Sequence, residues 1–293
     1  MSDPALAPFE QQRGRLFAVA YRMLGSVRDA EDALQEAWLR WREVDHAGVA
    51  NAQAYLVRLV ARLCLDQMKS ARARRESYVG LWLPEPLLDA PASTRAGERP
   101  DELAALNDDL SFAFLLLLER LNPLERAVFL LRQSFDLSFA EIAAVVDRSE
   151  AACRQLDARA RRHVAEGGRA RPADPAEHDE LLAGFLKAAR EGDLEGLTRR
   201  LAQDAVAYSD GGGRVAAAMR PVRGAAKVAR FVAGLTAKAK GLETRLCDVN
   251  GRTGVVGTRD GVVRTVVSFT ISEGRIHEIF FLVNPEKLVR AAG

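Results

Sequence analysis

Between residues 8 and 164 the apolar positions recur at helical spacing; from Leu242 onward they fall in short β-prone runs separated by glycines. Phe17, Tyr21 and Leu24 lie three and four apart, and Gly25-Ser26 breaks that helix. Asp29, Glu31 and Asp32 open the next, where carboxylates favour the positive end of the helix dipole. In DAEDALQEAWLRW the expected inward stripe is Ala30, Ala33, Leu34, Ala37 and Trp41, leaving Asp32, Gln35, Glu36 and Arg40 outside. A third helix starts near Asn51-Ala52, with Leu56, Leu59, Leu63 and Met68 expected to pack inward.

Residues 137–164 predict two helices joined by a tight turn. Ser138 and Glu141 have capping-box spacing. Ile142, Val145 and Val146 form the first apolar stripe, Asp147-Arg148 is short enough for the turn, and Ser149 is placed to cap the second helix. On that helix Cys153, Leu156, Ala160 and Val164 share one face, and Arg154, Gln155, Arg159, Arg161 and Arg162 occupy the other.

The stretch GGRARPADPAEHD is a Gly/Pro/charged boundary. After it, EHDELLAGFLKAAREGDLEGLTRRLAQDAVAYSDGGGRV predicts helix, helix, strand and a glycine turn, and RGAAKVARFVAGLTAKA another amphipathic helix. The β-prone runs Thr244–Val249, Gly254–Thr258, Val262–Ile271 and Arg275–Val283 follow. Helices first and a sheet afterwards point to an α+β domain.

Length and composition refine this picture. At 293 residues the chain accommodates two or three domains, and 48% hydrophobic with 6% aromatic residues suits small helical units. The net charge of +2 hides a pattern: residues 78–110 carry 2 Lys/Arg against 7 Asp/Glu, whereas the flanking helical segments have clustered cations. Cys64, Cys153 and Cys247 lie far apart in apolar runs, without a CxxC or Cys/His pair, so they are read as buried thiols in a reducing compartment. The first residues have no hydrophobic signal core, and Leu115–Leu118 is too short to span a membrane, so a soluble, cytoplasmic protein is expected. No metal or other cofactor is implied.

Two candidate chemistries follow from the charged faces. Arg58, Arg62, Lys69 and Arg72 line up within about a quarter turn of one helix. Only Asp66 and Glu76 are near enough in sequence to pair with them, which favours a phosphate backbone as partner. Tyr55 is positioned either for the core or for stacking on an unpaired base. Taken alone, the acidic face at 29–36 reads as an ordinary solvated surface. A helix-turn-helix at 138–164 would place its second helix in a major groove, where Arg and Gln read bases.

With both basic segments in view, DAEDALQEAWLRW, AYLVRLVARLCLDQMKSARARR and LNPLERAVFLLRQSFDLSFAEIAAVVDRSEAACRQLDARARRHV, in that order, resemble the extracytoplasmic-function (ECF) sigma factors. The resemblance spans residues 8–166. It implies that Asp29, Asp32, Gln35 and Glu36 dock on core RNA polymerase. It implies that the loop 44–51 and Arg58, Arg62, Lys69 and Arg72 open and read the promoter −10 element. It assigns the −35 element to Ser149, Arg154, Gln155, Arg159 and Arg162. The organisation expected is 1–77 as sigma domain 2, 78–107 as a linker, 108–167 as sigma domain 4, 168–175 as a second linker and 176–293 as a regulatory domain.

The chain departs from a plain member of that family twice. The connector YVGLWLPEPLL is too apolar for a disordered tether, since exposed Trp and Leu favour contact. The C-terminal domain resembles the SnoaL-like cone, a fold shared by cyclases, isomerases and binding proteins. Trp82, Leu83, Pro84, Glu85 and Pro86, with Asp210 and Gly211 of DGGGRV and Asn284, Pro285 and Lys287 of NPEKL, resemble the subgroup of these sigma factors that carries a fused SnoaL-like domain. That implies regulation in cis through an intramolecular contact, with core RNA polymerase and promoter DNA as partners and no membrane.

The alternative is a bifunctional protein whose SnoaL-like domain binds or converts a small hydrophobic ligand. Tyr208, Asp210 and His277 are its candidate groups. Asp-Gly, however, is a strong turn signal, and His277 lies in a strand with both faces partly apolar, so its direction stays open. A DNA-only repressor is disfavoured by the acidic helix at 29–36; a purely dimerising C-terminal domain remains open.

Overall fold

A computed structural model describes residues 5–76, 78–88, 110–166 and 173–289; the side chains at 47, 69–76 and 175 lie outside that description. Among these residues two compact units form. One holds residues 5–76, 110 and 114–166, and the other holds 78–88, 111–113 and 173–289.

The first unit is helical. Helix α1 (Leu6–Leu24) ends where Gly25 turns left-handed at φ 67° and its N–H returns to the Tyr21 carbonyl. Ser26 then caps α2 (Val27–Arg42) by accepting from the Asp29 N–H, and Ala30, Ala33, Leu34, Ala37 and Trp41 are buried as expected. Helix α3 (Ala52–Glu76) buries Leu56, Val57, Val60, Ala61, Cys64 and Met68, whereas Leu59 and Leu63 are half-buried. The expected stripe is thus rotated, because α3 packs on both α1 and α2 and its buried face centres on Val60 and Cys64.

The rest of the unit is α4 (Phe112–Glu119) from Phe114 on, α5 (Pro123–Phe135), α6 (Phe139–Val146) and α7 (Glu150–Glu166). Asn122 with Glu125 and Ser138 with Glu141 both form complete capping boxes, so the starts of α5 and α6 are fixed by local sequence. Asp147 adopts φ 53° in the turn, and α7 turns Cys153, Leu156, Ala160 and Val164 inward.

The second unit is α+β. Helices α8 (Pro175–Glu191), α9 (Leu194–Arg200) and α10 (Ala225–Lys238) accompany strands β1 (Leu201–Asp210), β2 (Val222–Arg223), β3 (Glu243–Val249), β4 (Arg252–Arg259), β5 (Val262–Ser272) and β6 (Arg275–Leu282). A last turn of helix, α11, covers Pro285–Leu288. The sheet order is β2-β1-β6-β5-β4-β3, antiparallel except for the β1–β6 pair. Asn250-Gly251, Asp260-Gly261 and Glu273-Gly274 all have positive φ, the two-residue turns that match strand twist. Phe185 and Leu197 of the helices, with Val228 and Val232, pack on Ala207, Phe269 and Ile279 of one sheet face. On β1, Tyr208 and Asp210 alternate with Ala207 and face the other way.

Candidate functional site

In the helix-turn-helix, the Ser138 hydroxyl and N–H both donate to Glu141 Oε2, at 2.7 and 2.8 Å. These bonds hold the Glu141 carboxyl below its ordinary range. The Ser149 hydroxyl accepts from the Ala152 N–H at 3.2 Å, so this side chain starts α7. Arg154, Gln155 and Arg162 are exposed. Arg154 bonds Glu150 at 2.8 Å and lies over the Phe139 ring at 5.4 Å, which holds its guanidinium near the start of the helix. Arg159 is placed differently: it pairs at 3.0 Å with Glu125, a buried carboxylate of α5. It therefore joins α7 to α5.

On α2, Gln35 and Asp32 are exposed, Asp29 and Glu36 half-buried. Two of these carboxylates already have cations, Asp32 with Arg28 at 3.8 Å and Glu36 with Arg40 at 2.7 Å. Tyr55 lies against Trp41 at 5.5 Å, and Trp41 also meets His46 at 4.4 Å. The short turn of helix at His46–Gly48 in loop 44–51 is thereby pinned to an aromatic cluster, which local spacing did not reveal. On α3, Arg62 is exposed and Arg58 half-buried; the side chains of Lys69 and Arg72 lie outside the described residues.

The connector residues converge on one carboxylate. Asp210 ends β1 with no solvent exposure. Its Oδ1 accepts from the Tyr78 hydroxyl at 2.6 Å and the Gly212 N–H at 3.0 Å. Its Oδ2 accepts from the Leu83 N–H and the Lys287 ammonium, both at 2.8 Å. Lys287 also donates to the Leu83 carbonyl at 2.5 Å and sits 4.3 Å and 4.9 Å from the ring centres of Trp82 and Tyr78. Asn284 caps α11 by accepting from the Glu286 N–H, and its amide donates to Tyr78. A buried ion pair is tolerable only when its remaining polar sites are satisfied, and here they are.

Leu83, Pro84 and Pro86 are buried against this framework. The prolines carry no N–H, so the buried stretch presents few donors, and they bias Leu83 and Glu85 to extended backbone. Glu85 itself is half-buried. At its far end the connector pairs with the sheet edge: Leu88 bridges Val249, and Leu87 exchanges bonds of 2.9 Å with Asn250. Gly211 has no space for a side chain, since a Cβ there would lie 2.2 Å from the Val215 carbonyl oxygen. Pro285 is the first residue of α11. Tyr78 and Asn250 were missed from sequence, where only an isolated tyrosine and an Asn-Gly turn marked them. Burial, then Asp210, raises the Tyr78 phenol above its ordinary value of 10.

The three candidates for chemistry in the C-terminal domain are not brought together. Asp210 is saturated by the clamp, and Tyr208 instead faces Glu278 at 3.4 Å and stacks on Phe280. Phe280 in turn stacks on Phe112. His277 occupies a β-bulge beside Thr270 and Ile271, and its Nε2 has no hydrogen-bond partner. Among the described residues no cluster of His, Cys, Asp and Glu could hold a metal, and no helix is long and apolar enough to cross a membrane.

The chain is similar to known proteins over most of its length. The model of sigma-70 region 2 matches residues 9–74, and that of sigma-70 region 4 matches residues 111–164. The chain is 39% identical over 301 residues to the ECF RNA polymerase sigma factor SigJ of Mycobacterium tuberculosis, covering 96% of this chain and 92% of that protein. It is 36% identical over 197 residues to the probable ECF RNA polymerase sigma factor SigI of the same species, covering 67% of this chain and 66% of that one. The crystal structure of M. tuberculosis SigJ matches with a TM-score of 0.77 and 36% identity, covering 95% of this chain and 96% of that chain. A helical unit with sigma-70 regions 2 and 4, joined in one chain to an α+β unit, defines the class. The chain belongs to the ECF sigma factors of RNA polymerase.

Proposed function

We propose that this protein binds core RNA polymerase in the cytoplasm and directs it to −10 and −35 promoter elements, and that its C-terminal domain controls that activity in cis. In this reading α2 supplies the polymerase contact through Asp29, Asp32, Gln35 and Glu36. Helix α3 supplies Arg58, Arg62, Lys69 and Arg72 to the −10 region. Helix α7 reads the −35 element with Arg154, Gln155 and Arg162, while Ser149 starts the helix and Arg159 braces it. The exposed Arg154, Gln155 and Arg162 on a helix whose start is capped by Ser149 are the support for duplex recognition.

Control in cis is carried by one observation: Leu83 of the connector has both its N–H and its carbonyl bonded to the Asp210–Lys287 pair. An intramolecular partner acts at high effective concentration, so this clamp sets how far the connector reaches. The proposed role requires no chemistry from the chain, and Asp210, already holding four donors, is unsuited to act as a base.

The test is in vitro transcription with core polymerase, comparing the full chain, a form ending after Arg171 and full-length Asp210→Asn. Promoter-specific transcripts whose yield changes with truncation and with Asp210→Asn are expected. Equal yields from all three would remove control in cis, and no transcript from any would remove the sigma-factor reading.

A further inference from the structure

Strand β3 is one edge of the six-stranded sheet and β2 the other. Edge strands are usually kept short, bulged or covered, because their open main-chain groups pair with other chains. β2 obeys that rule with two residues. β3 has seven, contains no proline, and runs against β4 without a register shift from Glu243–Thr258 to Val249–Arg252. Among the described residues the one bridge to this edge is Leu88–Val249, at its far end. Glu243, Thr244, Arg245 and Leu246 are exposed, Leu246 at 51%.

The hairpin fixes which main-chain groups are open. Val249 and Arg252 flank the two-residue Asn250-Gly251 turn, so they form a hydrogen-bonded pair, and the pairs alternate from there. Arg245 and Glu243 thus turn their main-chain groups toward β4, and Leu246 and Thr244 turn theirs to the open edge. The connector confirms the phase, since the Asn250 N–H points outward to the Leu87 carbonyl at 2.9 Å. Side chains alternate too: Glu243 and Arg245 share one face, while Leu246, opposite Val255, lies on the face that carries the helices.

We propose that β3 pairs with β3 of a second copy of this chain, antiparallel and centred on Thr244. In that register Thr244 exchanges main-chain hydrogen bonds with its counterpart. Glu243 lies opposite the second copy's Arg245, and Leu246 opposite its half-buried Leu242. The twofold axis repeats both contacts, so the edge is complementary to itself in charge and in apolar surface. Neighbouring registers are not. Centring on Arg245 sets two guanidinium groups against each other, and centring on Leu246 brings Glu243 to Val249, where the connector is already bonded. A strand pair this short falls below the roughly 1,200 Å² of standard stable interfaces, so the dimer is weak and set by concentration.

The test is sedimentation equilibrium of the full chain from low micromolar to submillimolar concentration, without polymerase or DNA. A monomer–dimer equilibrium is expected. Arg245→Glu and Glu243→Arg should each weaken it by about tenfold or more, since each sets like charges opposite one another twice. The double variant Glu243→Arg, Arg245→Glu restores both pairs and should dimerise as the native chain does; so should an equimolar mixture of the two single variants. Thr244→Pro, tolerated on an edge where that N–H points away from β4, should abolish the dimer. A chain that stays monomeric at every concentration would overturn the proposal. So would a dimer indifferent to the single reversals, or one that the double reversal and the mixture fail to restore.

Discussion

Lys287 brings its ammonium to 2.8 Å from Asp210, with Lys287 9% and Asp210 0% exposed. Removing one partner of such a pair leaves a buried charge without compensation. Lys287→Ala should therefore cost about 3–5 kcal/mol of stability, measured by urea denaturation of the full chain. The double variant Asp210→Asn, Lys287→Met should cost clearly less than the sum of the singles, because the stranded charge is gone. Additive losses would mean the two groups do not act as a pair.

Tyr78 makes the clamp sensitive to alkali. Its folded pKa lies above the ordinary value of 10, raised first by burial and then by Asp210. The unfolded chain thus loses its phenolic proton first, and the stability from the neutral phenol is complete below about pH 10 and declines as pH rises through the folded value. In Tyr78→Phe this part of the alkaline loss should vanish, and one phenol should be missing from the high-pH end of the absorbance titration at 295 nm.

Acid should act elsewhere, on the start of α6. Glu141 has a depressed folded pKa because Ser138 donates to its carboxylate twice. Its contribution is present above the unfolded carboxylate value and is lost as pH falls through the folded one. Ser138→Ala should cost about 1 kcal/mol near neutrality and flatten this acid dependence, read from thermal melts at several pH values.

The arginines of α7 should separate by assay. Arg154→Ala should weaken −35 recognition by roughly 1–3 kcal/mol in a sequence-dependent way if it contacts a base through two bonds. Equal loss on every sequence would make it a phosphate contact. Arg159→Ala should instead lower stability by about 1 kcal/mol, since its half-exposed guanidinium pairs with Glu125.

Gly211→Ala tests the loop beside the clamp. The added Cβ would meet the Val215 carbonyl 2.2 Å away, so the backbone must shift next to Asp210. Faster amide exchange at Leu83 and Gly212 is expected, with little change in the helices of the first unit.

Much of this architecture was legible locally. Capping spacings at Ser138 and Glu141, glycine turns between the strands, the inward stripe of α2 and the inward stripe of α7 depend on near neighbours, and each appears in the structure as the spacing implied. The polar residues around Trp82 were picked out by resemblance, but nothing local said that Asp210 would accept four hydrogen bonds or that Tyr78 would be one donor. Periodicity likewise misplaced the buried face of α3, because two packing partners rotate the stripe away from Leu59 and Leu63. It also set Arg159 beside Arg154 on the outward face of α7, although Arg159 pairs with the buried Glu125.

The sequence by itself determined the helices, their caps, the hairpins and the class of each charged face, since those follow from backbone preferences and spacing within a few residues. Only the tertiary structure decided which charges stay open and which are taken. Asp210 and Lys287 are 77 residues apart, and Arg62 and Ala144 are 82 apart. A carboxylate or guanidinium has the same local signature whether it faces water or a helix end, and only folding brings the partner that tells them apart.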